Sequence, residues 1–137
     1  MKKILLYLLF ISMLFGEQRF IRDNNKQIVK DTRTYLMWQD NDLKYLSWYD
    51  GMKYCKNLTL GGYNDWRLPN RRELFTIFIW GRKNNISPVF YHVKDVYWSS
   101  TSLLWYPAYA WYVSFEGGYD GSNLKTLKAY IRCVRDY

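Results

Sequence analysis

The sequence has few of the residues that metal sites and many catalytic sites require. It contains one histidine, His92, and two cysteines, Cys55 and Cys133, with no Cys-x-x-Cys pair. A structural zinc ion takes about four histidine or cysteine ligands, and a catalytic triad needs a histidine beside its nucleophile. We therefore predict no metal ion, no cofactor and no triad, and we expect a non-catalytic protein.

No apolar run in the sequence reaches the ~20 residues that a membrane-spanning helix needs. The apolar stretch at residues 4–15 follows Lys2 and Lys3 and ends beside Gly16. A charged start, a short apolar centre and a small residue at the end are typical of a secretory signal peptide.

We predict a signal peptide at residues 1–16 and a single domain at residues 17–137. The domain is expected to be exported to the periplasm, the cell surface or the extracellular space. An uncleaved membrane anchor is the alternative, because Leu14, two residues before Gly16, is larger than the residue that a signal peptidase prefers at that position.

Acidic residues are the minority charge, at 12 against 20 lysines and arginines, which gives a net charge of +8. Loss of the predicted signal peptide removes two lysines, so 18 basic residues oppose 12 acidic ones and the net charge becomes +6. A basic excess attracts polyanions, and outside the cytoplasm these are acidic polysaccharides, lipid head groups and other envelope polymers. The sequence contains no nucleic-acid-binding motif. The expected partners are a glycan or an envelope protein, with a membrane contacted only through an uncleaved leader.

The two cysteines have two interpretations. In an exported chain an even number of cysteines indicates a disulfide, and a Cys55–Cys133 bond would span a sequence separation of 78 residues. The alternative is a pair of free thiols, one of them catalytic. We favour the disulfide, because no histidine other than His92 is present to activate a thiol.

Local patterns predict an α+β domain with two helices and several short strands. Ser47 can cap the first helix, and Asn70 with Glu73 forms a capping box at the start of the second. Aromatic and β-branched runs predict the strands, and the strands at the two ends of the chain are expected to lie side by side. The predicted elements are a hairpin at 19–31 that turns at Asn24-Asn25, a strand at 35–40, a loop at 41–46, helices at 47–58 and 69–80, and strands at 96–101, 110–118 and 127–137.

Periodicity predicts which side chains are buried. In the first helix Cys55 lies on the apolar stripe, and in the last strand Cys133 lies on the core face while Arg132 lies on the opposite face. Asp40 and Asp42 are expected to be solvated loop residues. The other predicted buried side chains are Trp48, Met52, Leu58, Leu74, Ile77, Phe78, Ala129 and Ile131.

The order of several short motifs resembles a known family. The motifs are IVKDTRTYLMWQD, a helix containing YC, GGYNDWRLPNRREL, YWSST, AWYVSFEGG and IRCVR, which together cover residues 19–135. They are similar to the Lcl C-terminal domain family, named for the last domain of a collagen-like protein. DWRLP before a helix is the most specific motif, whereas Thr34-Tyr35-Leu36 stands where Thr-Gly-Leu is usual.

The resemblance implies a C-type-lectin-like domain with two helices, short twisted antiparallel sheets, a long loop region at residues 80–127 and one disulfide. It implies that Cys55 and Cys133 form the bond between a helix and the last strand. The collagen-like relative is associated with sulfated glycans and adhesion, so carbohydrate binding is the expectation. This chain lacks the Glu-Pro-Asn or Gln-Pro-Asp triplet of calcium-dependent lectins. It also lacks the reactive cysteine pair of the formylglycine-generating enzymes, so both activities are disfavoured.

The segment Asp65-Trp66-Arg67-Leu68-Pro69 has two interpretations. Trp66 and Arg67 could stack on a sugar acid and pair with it. We favour a structural corner, because the segment is closely tied to the turn and cap that begin the second helix. In that case Trp66 packs, Asp65 and Arg67 hold charged or backbone groups, and Pro69 leads into the helix.

Two pairs of charged residues are further candidates for binding or catalysis. Arg71 and Arg72 lie at a predicted helix N-terminus, where cations are unfavourable, so we predict that they bind an anion. Glu116 and Asp120 lie among glycines and could hold a cation or act as a glycosidase pair. A hairpin turn is the simpler explanation of that stretch.

The segment WYPAYAWY at 105–112 places five aromatic rings in eight residues. Rings on a loop can stack on sugar faces or anchor a protein partner. We predict that Trp111 belongs to a core strand and that Trp105, Tyr106 and Tyr109 form an exposed platform for a ligand.

Overall fold

The computed structural model describes residues 18–137, so the predicted signal peptide lies outside the described residues. Within them, nine short strands form two sheets, and two helices pack on the second sheet. The predicted α+β class and the two helices are therefore confirmed. In chain order the elements are β1 Phe20–Asp23, β2 Ile28–Asp31, β3 Leu36–Gln39, β4 Lys44–Ser47, α1 Trp48–Asn57, α2 Arg71–Thr76, a 3-10 turn at Lys83–Asn85, β5 Val96–Ser102, β6 Tyr109–Ser114, β7 Tyr119–Leu124, β8 Lys128–Ile131 and β9 Val134–Asp136.

The first sheet has the strand order β1-β2-β3-β9 and is antiparallel throughout. The second sheet has the order β4-β8-β5-β6-β7, with β5 and β8 parallel and the other pairs antiparallel. The predicted hairpin is confirmed as β1 and β2. The expectation that the terminal strands lie side by side is wrong, because β9 pairs with β3 and β1 lies at the opposite edge.

The sequence patterns miss two strands. β4 falls in the predicted loop at 41–46, and β7 falls in the stretch interpreted as a turn. Both are edge strands of the second sheet and carry mostly exposed or half-buried side chains. Because few side chains of these two strands reach the core, their sequences carry little apolar alternation. The predicted strand at 127–137 is also interrupted, at Arg132 and Cys133, so that it forms β8 and β9.

Helix α1 begins at the predicted cap, where the Ser47 side chain accepts a backbone hydrogen bond from the first turn. Cys55 is fully buried, as predicted, but Met52 is exposed. Gly51 contacts the sheet instead, since a Cβ at this position would lie 2.3 Å from Ile131 Cδ1. The close approach of α1 to β8 therefore favours glycine at this position, because any Cβ would displace the Ile131 side chain.

Helix α2 begins with the predicted capping box. Asn70 Oδ1 accepts from the Glu73 N–H at 2.7 Å, and Glu73 Oε1 accepts from the Asn70 N–H at 2.9 Å. Leu74 and Ile77 are buried, whereas Phe78 is only partly buried. The helix is shorter than predicted and ends at Thr76. The long loop region that the resemblance implies is confined to residues 77–95, because β5, β6 and β7 occupy most of residues 96–124.

The core consists of two clusters of apolar side chains, and the predicted disulfide lies in the second. Cys55 and Cys133 are bonded, are fully buried, and join α1 to the link between β8 and β9. The first cluster contains Phe20, Val29, Leu36, Trp38, Leu43, Leu74, Ile77, Ile86, Phe90, Tyr97, Val113, Phe115 and Val134. The second contains Ile28, Met37, Cys55, Trp66, Leu68, Trp98, Ala110, Ala129, Ile131 and Cys133.

The interpretation of Asp40 as a solvated residue is wrong, as is the placement of Arg132 away from the core. Both side chains are fully buried, and Arg132 Nη1 lies 3.2 Å from Asp40 Oδ1. Arg22 pairs with the same carboxylate, and the backbone N–H groups of Tyr91 and His92 donate to it at 2.8 and 3.1 Å. A buried carboxylate requires such partners, and all of them except Arg22 lie far away in the sequence.

Gln39 and Cys133 complete what we call the central junction, which consists of Gln39, Asp40, Arg132 and Cys133. The Cys133 N–H donates to Gln39 Oε1 at 2.9 Å, and Arg132 Nη1 donates to the Gln39 carbonyl at 2.6 Å. Gln39 Nε2 also donates to the Tyr54 hydroxyl of α1 at 3.0 Å. The junction thereby fastens β3, α1 and the link between β8 and β9 to one another.

We expect loss of the disulfide to destabilise the domain strongly. The bond spans a sequence separation of 78 residues, and the chain-entropy model assigns a loop of that length about 4 kcal/mol. Urea denaturation of residues 17–137 should show this loss of unfolding free energy for Cys55→Ser/Cys133→Ser. Wild-type protein that is equally stable with and without a reductant that opens the bond would contradict the expectation.

We expect Asp40→Asn to cost about 3–5 kcal/mol of unfolding free energy, because it leaves the buried Arg132 charge without its counter-charge. The matched control is Asp42→Asn, which changes an exposed carboxylate two positions away. That control should change stability by less than about 0.5 kcal/mol. Urea denaturation of both variants tests the difference, and similar losses in the two would show that the burial of Asp40 carries no special weight.

Candidate functional site

The DWRLP segment is fastened to the body of the domain by its backbone and by one indole. Trp66 is buried, and its Nε1 donates to the carbonyls of Leu60 and Tyr63 at 3.3 and 3.1 Å. Arg67 and Val134 exchange both backbone hydrogen bonds, at 2.9 and 2.8 Å. The segment therefore adds a short bridge to β9. Trp66 has no exposed face for stacking on a sugar.

The charged side chains of the segment are held by ion pairs. Arg67 donates two hydrogen bonds to the Glu73 carboxylate, at 2.6 and 2.7 Å, and Asp65 accepts two from Arg135, at 2.6 and 3.0 Å. Burial alone would raise the pKa of Glu73, but hydrogen bonds from Arg67 and the Asn70 backbone outweigh it and lower the pKa below its ordinary 4.5. Glu73 thus has two roles: it completes the capping box and it accepts both hydrogen bonds from Arg67.

Leu68 and Pro69 complete the segment and are both buried. The Pro69 carbonyl accepts from the Ser100 N–H of β5 at 2.8 Å. The helix itself begins two residues after Pro69, at Arg71. All five residues of DWRLP therefore have a contact within the domain.

Arg71 contacts other side chains of the domain, whereas the sequence predicts that it binds an external anion. Its Nε lies 2.8 Å from Asp120 Oδ2 on β7, and its guanidinium lies 4.1 Å from the centre of the Trp111 ring. Trp111 is half-buried beneath it, so the expectation of a core tryptophan is only partly met. Arg72 is exposed, and its role as an anion ligand stays a prediction.

The remaining acidic candidates do not gather into a site. Asp120 pairs with Arg71, and Glu116 is exposed in the turn between β6 and β7, with its backbone N–H donating to Asp95 at 2.9 Å. Within residues 18–137 no group of three or more histidine, cysteine or acidic side chains is placed to hold a metal ion. His92 contributes its backbone to the central junction, where its N–H donates to Asp40.

The connection between β5 and β6 carries the rings of the predicted platform, Trp105, Tyr106 and Tyr109, and we call it the aromatic loop. Trp105 and Tyr106 lie between β5 and β6 with exposed side chains, and Tyr109 at the start of β6 is half-buried. The Tyr106 and Tyr109 rings meet edge to face with centroids 6.4 Å apart. The structure thus brings the rings of Tyr106 and Tyr109 together and leaves Trp105 exposed beside them in the chain. Their binding role stays a prediction.

An open groove lies between α1 and the DWRLP segment, with a volume of about 600 Å³. One face of α1 forms a wall, since Tyr49, Met52, Lys53 and Lys56 follow helical spacing. Trp66 and Leu68 also line the groove, although both side chains are almost fully buried, and Met52 supplies its exposed apolar surface. The remaining lining residues are Arg67, Asn70 and Ser100. We call this the α1 groove. It combines apolar surface, an aromatic ring, an amide, a hydroxyl and two exposed lysines.

Arginine and lysine side chains differ in whether they form salt bridges. In the part of the chain that the structure describes, all seven salt bridges have arginine as the cation. The lysines of that part make no salt bridge, and Lys53 and Lys56 are exposed at the α1 groove. The basic excess is therefore carried at the surface mainly by lysine.

The sequence model of the Lcl C-terminal domain matches residues 27–135. The chain belongs to the Lcl C-terminal domain family. The match includes the central junction, the disulfide, the DWRLP segment, the α1 groove and the aromatic loop of this family member. No curated protein matches the chain. None of the helices among residues 18–137 is both long enough and apolar enough to span a bilayer.

Sequence reasoning missed the α1 groove in this member of the Lcl C-terminal domain family. Tyr49, Lys53 and Lys56 recur at i, i+4 and i+7, so a helical projection would have placed them on one face. The partner wall could not be inferred in this way, because Trp66 and Asn70 reach the groove only through the tertiary fold.

The lowered pKa of Glu73 predicts acid sensitivity. Because the pKa is lower in the folded than in the unfolded chain, the stabilisation is present above about pH 4.5 and is lost as the pH falls through the folded pKa. Asp31 acts in the same direction: burial would raise its pKa, but hydrogen bonds led by Arg19 outweigh this and lower it below 3.8. We expect unfolding free energy to be flat near neutral pH and to decline below about pH 4.5.

Urea denaturation across that pH range tests the assignment with two variants. Glu73→Gln should lose about 1–2 kcal/mol at neutral pH and should show a smaller decline in acid, with the contribution of Asp31 remaining. Glu116→Gln changes an exposed glutamate and should follow the wild-type curve. A full acid decline in Glu73→Gln would rule out the contribution of Glu73.

Proposed function

We propose that this domain is an exported, non-catalytic binding module of the cell envelope that recognises acidic polysaccharides. The observation that carries the proposal is the α1 groove, which places two exposed lysines beside an aromatic ring and an apolar surface. Sugar sites combine a ring for the apolar face of the sugar with polar groups for its hydroxyls. Lysines without carboxylate partners add affinity for uronate or sulfate groups.

Each groove residue has a role in this proposal. Tyr49 is exposed on the first turn of α1 and offers its ring to a sugar face. Lys53 and Lys56 offer ammonium groups to the acidic substituent. Asn70 uses its Oδ1 in the helix cap, which leaves its Nδ2 group to donate to a hydroxyl. Ser100 adds a second hydroxyl-binding group on the β5 side.

Export and the C-type-lectin-like relationship belong to the same proposal. A disulfide persists in oxidising compartments, which supports a location outside the cytoplasm. The bond joins the first helix to the segment before the last strand, as the resemblance to C-type-lectin-like domains implies. The exposed tyrosine and lysines of the α1 groove are compatible with a glycan ligand without the calcium triplet of true lectins.

The alternative is a structural or assembly component that binds another envelope protein. Met52 favours it, because its exposed apolar side chain in the α1 groove would also accept the apolar side chains of a protein segment. The two functions differ in what they require of the ligand. A polysaccharide would depend on Tyr49 and the lysines, whereas a protein segment would depend most on Met52.

We expect residues 17–137, produced in an oxidising compartment, to bind sulfated or uronic-acid polymers on a glycan array. Lys53→Ala/Lys56→Ala should weaken a hit roughly 10-fold, because charged hydrogen bonds to the ligand are lost. The matched control is Lys44→Ala/Lys83→Ala, which removes the same charge from exposed positions outside the α1 groove.

Three outcomes would count against the groove. Equal weakening of both double variants, together with loss of binding at higher salt, would indicate general charge attraction. A larger effect of Trp105→Ala than of the groove variant would place the glycan on the aromatic loop. Failure of folded, disulfide-bonded protein to bind any glycan would reject the polysaccharide function and leave a protein partner as the better explanation.

A further inference from the structure

One end of the second sheet exposes a group of large apolar side chains. Leu104 and Trp105, in the loop between β5 and β6, are each 82% exposed, and Tyr106 beside them is also exposed. Leu124 and Leu127, around the turn between β7 and β8, are exposed as well. We call these five side chains the apolar tip. Large exposed apolar groups that lie together mark interaction sites more often than isolated ones do.

The backbone holds the two parts of the apolar tip together. The Lys125 N–H donates to the Ala108 carbonyl at 2.9 Å, which joins the β7–β8 turn to the β5–β6 loop. Within the loop the Leu103 N–H donates to the Tyr109 carbonyl at 2.9 Å, and within the turn the Leu127 N–H donates to the Leu124 carbonyl at 3.0 Å. The exposure of the apolar side chains is therefore built into a hydrogen-bonded framework.

The two chain segments that form the apolar tip carry charges of one sign. Residues 96–115 contain no charged side chain, and residues 121–131 contain two, Lys125 and Lys128, both positive. Lys125 is buried with its ammonium 4.1 Å from the centre of the Trp48 ring, whereas Lys128 is exposed directly after Leu127. An anionic surface would meet no carboxylate from either segment.

The chemistry of the apolar tip fits a lipid interface better than a sugar. Leucine cannot stack on a sugar ring, and the loop residues 103–108 contain no carboxylate, amide or cation to bind hydroxyls. Tryptophan and tyrosine concentrate at the boundary between lipid headgroups and acyl chains. Leucine enters the acyl side of that boundary, and nearby lysines are drawn to anionic lipids.

We propose that the apolar tip inserts into the interface of an anionic lipid bilayer. Leu104 and Trp105 enter the boundary of the acyl chains, Tyr106 stays at the level of the headgroups, and Lys128 lies beside lipid phosphate. This contact is peripheral and is separate from the predicted leader. It does not rest on the polysaccharide function, because none of the groove residues takes part in it.

The test is co-sedimentation of residues 17–137 with vesicles of phosphatidylcholine, alone or mixed with phosphatidylglycerol. We expect binding to the mixed vesicles, and Leu104→Ser/Trp105→Ser should reduce it by at least ~10-fold. Lys128→Ser should weaken binding to the mixed vesicles only. Trp105→Phe keeps an apolar ring and should retain most of the binding, which guards against a variant that fails to fold.

The matched control is Trp80→Ser. Trp80 is 77% exposed, but its ring packs beside Gly118 in the β6–β7 turn, at the other end of β6. Six residues of strand separate the two ends by about 20 Å. Vesicle binding should be unchanged in Trp80→Ser. Absence of wild-type binding to mixed vesicles, or equal losses in the Trp80 and tip variants, would overturn the proposal and favour a protein partner for the apolar tip.

Discussion

The fold depends on a buried ion pair between Asp40 and Arg132. Neither side chain is exposed, so each would be strongly unfavourable without the other. The pair is supported by Arg22 and by the backbone of the loop at Tyr91 and His92. Because its members come from β1, the residue after β3, the long loop and the link between β8 and β9, their burial is possible only when these parts meet correctly. The disulfide at Cys133 then fixes α1 to the same place.

This arrangement explains why arginine and lysine are not interchangeable in the domain. Arginine offers several hydrogen-bond donors in a planar group, which suits carboxylates that must be held in a fixed geometry. The Arg67–Glu73 and Arg135–Asp65 pairs use this geometry to fasten the DWRLP segment to α2 and β9. The lysines of the described residues make no salt bridge, and most of them are exposed, with Lys125 as the buried exception. Within the described residues the salt bridges are thus formed by arginine, and the unpaired surface charge is mostly that of lysine.

The two proposed binding surfaces are neighbours. The Trp48 N–H at the start of α1 donates to the Lys125 carbonyl at 3.0 Å, so the helix that lines the α1 groove begins beside the turn of the apolar tip. A domain resting on a lipid surface through the tip would hold the groove close to that surface. Such an arrangement would suit the proposed polysaccharide-binding module, and the two proposed contacts use different residues.

The sequence alone determined the features that depend on local chemistry. The caps at Ser47 and Asn70, the burial of Cys55 on its helical stripe and the exposure of the aromatic loop follow from neighbouring residues. It could not reveal β4 and β7, because edge strands carry little periodic signal, or the burial of Asp40 and Arg132, because their partners lie far away in the chain. Arg71 is paired and the α1 groove is assembled only when distant segments pack together. Those outcomes belong to the tertiary structure, because buried charge and composite surfaces are set by long-range contacts.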